Sequence, residues 1–217
     1  MIDLRDLAMD GRLPQPGLDL AVARGGNLLV TGPSGSGKSR LLRVLAGTER
    51  PARGRVEVGG RDLWPGGVLA LSGRVRLGFA FATGGLLSNL SLKENIALPL
   101  RFLGLPHAER ERRTGEALER LDLSAVAGLR PHAVSASARK QANLARVLAL
   151  EPELILLDDP LEGLDAADRA IAQDLIRTWG SDKSCTLMIA AEEALPFSNL
   201  EAKRLQLSSA PMTVEFQ

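Results

Sequence analysis

The sequence predicts an α/β fold built on a mostly parallel sheet, and three observations carry that expectation. Leu28-Leu29-Val30 is a short apolar run that leads directly into a Gly-rich turn and then a segment with helical spacing. Two further apolar runs, Leu154–Leu157 and Cys185–Ile189, flank a helical segment over Ala166–Trp179. That strand-helix-strand order is the one parallel pairing requires, because parallel neighbours need a long crossover. Between these ends, Ser91–Leu150 reads as helix, broken by Pro99, Pro106, Gly128 and Pro131 into a helix-rich insertion.

The remaining elements follow in chain order. After the Gly-rich turn, Leu41, Leu42 and Leu45 share one face of a helix over Arg40–Ala46. Arg53–Val58 alternates apolar and polar residues and ends in Gly59-Gly60, a hairpin signal. Val75–Phe81 supplies another apolar run. Glu109–Leu121 is rich in charges at i,i+4 spacing and poor in apolar residues, which marks an exposed helix face and assigns it no chemistry. At 217 residues without internal repeats, the chain is expected to be one domain with a sizeable insertion.

Composition narrows the functional classes. Hydrophobic residues are 45% and charged residues 24%, values of an ordinary globular chain rather than a disordered one. The longest apolar runs fall far short of the ~20 residues that cross a bilayer. Met1-Ile2-Asp3-Leu4-Arg5-Asp6 carries acids where a secretory signal carries bases, so a cytoplasmic location is expected. Net charge is +1 and aromatics are 3% with no tyrosine, which leaves neither the basic field nor the stacking platforms of a nucleic-acid partner. The eight arginines between Arg40 and Arg76 are read as a solvated face. Cys185, with only His107 and His132 beside it, makes no metal cluster and is expected to be a small buried hydrophobe on a strand.

Gly32-Pro33-Ser34-Gly35-Ser36-Gly37-Lys38-Ser39 matches G-x-x-x-x-G-K-[ST] in full and lies between an expected strand and an expected helix. Glycines let successive N–H groups turn toward an anion, and the helix that starts there points its positive end at the same place. Lys38 adds a charge for β and γ phosphates, and Ser39 a hydroxyl for Mg²⁺. Leu154-Ile155-Leu156-Leu157-Asp158 is an apolar strand ending in an acid at the edge where α/β sheets bind ligands, so Asp158 is the second candidate metal ligand. Together they imply a nucleoside triphosphate site. A kinase or GTPase would need a second substrate site or an Asn-Lys-x-Asp run, and neither is present.

Beyond this site the chain resembles the ATP-binding subunits of ABC transporters from about residue 18 to residue 207. Gly32–Leu42 looks like that family's P-loop, and Asn89–Leu100 like the segment after its glutamine loop. Ser135–Leu150, then Glu151–Pro160 and Gly163-Leu164-Asp165, are similar to its signature helix, second phosphate motif and D-loop, in family order. The resemblance implies a P-loop NTPase core of the ABC ATPase type, with an N-terminal antiparallel β part. One domain over 1–217 is implied, its core at about 1–80 and 151–217 and its helical insertion at about 82–150. It implies that Gly32, Pro33, Ser34, Gly35, Ser36, Gly37, Lys38, Ser39 and Arg40 bind ATP, with Ser135 facing the nucleotide of a second subunit. Ser39 and Asp158 would hold Mg²⁺.

Several positions depart from the family pattern. Val134-Ser135-Ala136-Ser137-Ala138 keeps the serine of the Leu-Ser-Gly-Gly-Gln signature but neither glycine. Ala82 stands where the glutamine is expected. Asp159 stands for the catalytic glutamate, one methylene shorter, and is expected to be a slow base. Glu192 stands for the switch histidine, and no adenine-stacking aromatic occurs between Met9 and Leu13. The resemblance therefore implies an ATP-binding subunit of a membrane transport complex with weak or partner-dependent hydrolysis. Its partners would be transmembrane permease subunits, docked around residues 82–100, and a second ATP-binding subunit, alike or different, at the cytoplasmic face. The alternative is an ATP-gated regulatory or assembly subunit that does not hydrolyse.

Overall fold

A computed structural model describes residues 1–9, 17–64, 66–83 and 85–207. The chain opens with β1 (Ile2–Ala8), β2 (Leu18–Val22) and β3 (Asn27–Thr31), then α1 (Lys38–Leu45), β4 (Arg53–Val58) and β5 (Arg61–Asp62). β6 (Leu77–Ala80) precedes three helices, α2 (Leu92–Phe102), α3 (His107–Arg120) and α4 (Ala136–Leu150). β7 (Leu154–Asp158), α5 (Ala166–Ser181), β8 (Thr186–Ala191) and β9 (Lys203–Gln206) follow. Two sheets result: an antiparallel one in the order β2-β1-β4-β5 and a parallel one in the order β6-β7-β8-β3-β9.

The inner parallel strands are apolar between their ends because both of their faces are covered. Successive side chains point to opposite faces, so Leu28, Val30, Leu154, Leu156 and Met188 join one core with α1 and the antiparallel sheet. Leu29, Ile155, Leu157, Leu187 and Ile189 join the other, with α2, α4 and α5. Such two-sided burial is the usual condition of a parallel sheet.

The insertion is fastened at defined points. α2 starts in a capping box, where Ser91 Oγ accepts from Glu94 N and the Glu94 carboxylate accepts from Ser91 N. Buried Asn95 holds the preceding loop, accepting from Leu87 N at 2.7 Å and donating to the carbonyls of Leu87, Leu90 and Ser91. α3 presents the charged face expected of it, with Arg112 reaching Glu109 and Glu116. α4 is the insertion's buried helix, packed by both α2 and α3.

The expected strands and helices are present, with shifted ends; Val75–Phe81 contracts to β6. The N-terminal antiparallel β part that the resemblance implies is present as β2-β1-β4-β5, although the residue patterns assigned no strand at β1, β2 or β9. β1 alternates Ile2 and Leu4 inward with Asp3 and Arg5 outward, a short strand signal in which charged residues break the apolar run. The arginine-rich run is laced by acids: Arg40 and Arg43 close on Glu49, Arg55 reaches Glu57 and Asp62, and Arg53 pairs with Asp6. Cys185 is buried just before β8, and burial pushes its thiol up to about 11. No helix among the described residues is long and apolar enough to cross a membrane.

Candidate nucleotide site

The site begins where β3 ends. Gly32 has φ 150°, and a Cβ there would stand 2.1 Å from the carbonyl oxygen of Leu207, so the turn admits only glycine. Leu207 is itself pinned, its N–H donating to Thr31 O at 2.7 Å. Gly35, by contrast, faces open space on the side where a Cβ would project, which leaves the backbone approachable. α1 follows with Gly37 as its N-cap, no side-chain cap and no acid of its own in its first turn, so none of its own side chains answers the positive end of its dipole.

Two side chains within the loop complete a cradle for an anion. Lys38 is buried and folds back so that Nζ donates to Gly32 O at 2.7 Å and Pro33 O at 3.0 Å. Ser36 Oγ is buried without a hydrogen-bond partner, although such groups normally have one. An ammonium, an unpartnered hydroxyl and a helix N-terminus over open backbone fit a phosphate chain.

The parallel sheet brings the second half of the site alongside. β7 and β8 pair Asp158 with Ala190, and β3 and β8 pair Thr31 with Ala191, so the three strands finish together. Ser39 Oγ therefore donates to Asp158 Oδ1 at 2.9 Å across 119 residues of sequence. This hydroxyl–carboxylate pair is an all-oxygen donor set of the kind Mg²⁺ prefers. Burial pushes the Asp158 carboxyl above its ordinary range, opposed by the Ser39 hydrogen bond and the Lys140 charge. Asp159 lies beside it in the left-handed region at φ 42°, its N–H on Ala190 O at 2.9 Å. Its carboxyl is also pushed up, by burial first and by Asp158 next.

Glu192 follows β8 and lines a cleft of about 300 Å³ with Ser34, Asp159, Glu162, Glu193 and Arg169. Ser135 Oγ is used at its own helix end, accepting from Ala138 N at 3.0 Å. Ser137 Oγ donates to the Asp168 carboxylate and accepts from Asp165 N, tying the start of α4 to the start of α5. The Arg40 guanidinium reaches Glu49. Ala82 lies just past β6, and residues 10–13, where an adenine-stacking group was sought, lie outside the described residues. Sequence reading missed Lys140, a buried amine whose Nζ reaches the carbonyls of Ala82 and Asp158. A lysine on an otherwise burial-prone helix was the available signal.

Residues 16–162 match the family model described as ABC transporter. Among curated relatives, the methionine import ATP-binding protein MetN of Caulobacter vibrioides is 36% identical over 198 residues, covering 89% of this chain and 60% of that protein. The taurine import ATP-binding protein TauB of Pseudomonas aeruginosa is 41% identical over 160 residues, covering 73% and 58%. The chain thus spans about 60% of the length of these relatives. Among solved structures, a dimeric bacterial ABC transporter cassette superposes with a TM-score of 0.87 at 24% identity, covering 100% of this chain and 98% of that one. A dimeric post-hydrolysis ATP-binding cassette bound to ADP and Pi gives 0.86 at 23%, covering 99% and 98%. Those two likenesses establish the ABC ATPase fold, and with the family match over most of its length, the chain belongs to the ABC transporter family.

Proposed function

We propose that this chain is the ATP-binding subunit of an ABC-type membrane transport complex, binding Mg²⁺-ATP at Gly32–Ser39, with weak or partner-dependent hydrolysis. The observation that carries the reading is the Ser39–Asp158 hydrogen bond, 2.9 Å long, set beside a glycine cradle and a buried lysine. Gly32, Pro33, Ser34, Gly35, Ser36 and Gly37 would wrap the phosphates with their backbone, Lys38 would supply charge, and Ser39 and Asp158 would hold the metal. Arg40 would flank the cradle, and Asp159 would be the base. Bound there, Mg²⁺ would lend positive charge to phosphate oxygens.

Residues 1–217 would act as one domain, with Ser135 turned to the nucleotide of a second ATP-binding subunit. Transmembrane permease subunits would dock at the cytoplasmic face of the membrane against the insertion. In support, Phe102 at the end of α2 is 86% exposed, and Leu87 and Leu103 are exposed as well. Beside them Leu98, Pro99 and Phe102 line an apolar groove with the stacked rings of Phe79 and Phe81. A second reading, an ATP-gated regulatory or assembly subunit without turnover, draws support from Glu162, Glu192 and Glu193 in the cleft beside Ser34, which would repel a terminal phosphate.

Mg²⁺-ATP binding and phosphate release measured on one sample test both readings, with Lys38→Ala as control. Removing one side of a buried charged contact costs about 2–5 kcal/mol, so Lys38→Ala should weaken binding at least ~30-fold. Unchanged binding would sink the site assignment. Binding with Lys38-dependent release favours the transport ATPase; binding without release, even with permease present, favours the gated subunit.

A further inference from the structure

We propose that Lys140 is a positioning residue that ties the helical insertion to the phosphate edge of the parallel sheet, holding the chain after β6 and the metal-side end of β7 in one arrangement. The inference rests on the nucleotide reading of the site above.

Lys140 lies on α4 and is only 6% exposed. Its Nζ is 2.9 Å from Ala82 O, 3.4 Å from Asp158 O and 3.5 Å from Phe81 O. These carbonyls follow or end strands that are paired neighbours, with Ala80 opposite Leu157, so they converge just past the last paired residues. One ammonium thus bridges three elements: α4, the exit of β6 and the exit of β7.

Burying an ammonium is costly unless its hydrogens are satisfied. An apolar side chain at position 140 would fill the space with no such cost, as replacements of buried ions by hydrophobic residues often do. Burial lowers the amine's affinity for its proton, while Asp159, Glu162 and Asp158 raise it. The charge therefore sits between the carboxylate pair at the sheet edge and the backbone of the insertion's entry.

The need for such a tie is visible at Ala82. Its methyl group has no polar atom to offer the site, so the segment entering the insertion is fastened there through its backbone carbonyl. Lys140 takes that carbonyl and the Asp158 carbonyl together. Because Asp158 also accepts from Ser39, a shift of α4 would be transmitted through Lys140 to the hydroxyl–carboxylate pair.

The test uses the full chain with Lys140→Met, which keeps length without donors, and Lys140→Gln, which keeps a donor without charge. ATP binding is measured with Mg²⁺ and with the metal chelated, and amide hydrogen exchange is followed without nucleotide. A charged hydrogen bond is worth enough that Lys140→Met should weaken Mg²⁺-ATP about tenfold while metal-free ATP changes less than about twofold. Exchange at residues 81–83 and at Asp158 and Asp159 should accelerate in both variants. Equal loss in the two binding measurements, or unchanged exchange in a folded variant, would overturn the proposal. If Lys140→Met fails to fold, Lys140→Gln is judged by the same two readouts. A wild-type chain that binds no ATP, or binds it independently of Lys38, would sink the nucleotide reading instead, and the exchange measurement would still decide whether Lys140 is the tie.

Discussion

The loop between β3 and α1 and the rim that faces it are made of different material. The loop is mostly backbone: Gly32 locked against Leu207, Gly35 open, and N–H groups at the start of a helix. The rim is made of side chains at the ends of β6, β7 and β8: Ala82, Asp159 and Glu192. The departures that the resemblance implies fall on that rim, at the start of α4 and at the base-stacking position, and none on the loop. Backbone geometry is enforced by neighbours on several sides, so one changed residue there disturbs the turn itself. A rim side chain can be exchanged while the strand that carries it stays put. On the proposed reading, phosphate binding and phosphate cleavage would be separable in this fold.

The contrast can be broken at its strongest point by Lys38→Ala, whose loss of binding is the largest effect expected. Gly32→Ala comes next. Its Cβ would collide with Leu207 O, and overpacking costs about 1–3 kcal/mol, which for a chain of this size is a fall in Tm of roughly 2–12 °C. A melt within a degree of wild type would show that the loop is softer than its geometry implies.

On the rim the effects should be smaller. Asp159→Asn keeps a residue type that tolerates the left-handed backbone at φ 42° and removes a charge that Asp158 repels. If the shorter carboxylate is the slow base proposed above, phosphate release should change by less than about threefold. A drop of about 100-fold would show that Asp159 is an effective base and that the rim works.

The smallest effect belongs to a remote control on α3. Arg112 and Arg113 hold the Glu109 carboxyl down at about 2 from 4.5. A depressed carboxylate contributes stability above its unfolded value and loses it as pH falls through its folded one. Glu109→Gln should therefore melt slightly below wild type at pH 7, with the gap closing between about pH 4.5 and pH 2. Nucleotide binding should not respond.

Much of this arrangement was legible residue by residue. Leu28-Leu29-Val30 followed by glycines and then Leu41, Leu42 and Leu45 announces strand, loop and helix, and the parallel order followed from Leu154–Leu157, Ala166–Trp179 and Cys185–Ile189. β9 was not legible, because Lys203-Arg204-Leu205-Gln206 is a mostly polar edge strand whose partner, β3, is remote in sequence. Ser137 was read only as a missing glycine, yet in the fold its hydroxyl is engaged by Asp168.

The sequence by itself determined the phosphate loop, because glycines, a lysine and a serine within one short run between a strand and a helix have their geometry and their charge written locally. Only the tertiary structure decided what surrounds that loop: Leu207 closing on Gly32, Asp158 reaching Ser39, and Lys140 joining Ala82 to Asp158. These contacts span from 18 to well over a hundred residues of chain. Sheet order and helix packing set them, and no local pattern of spacing or polarity encodes which distant carbonyl a buried amine will meet.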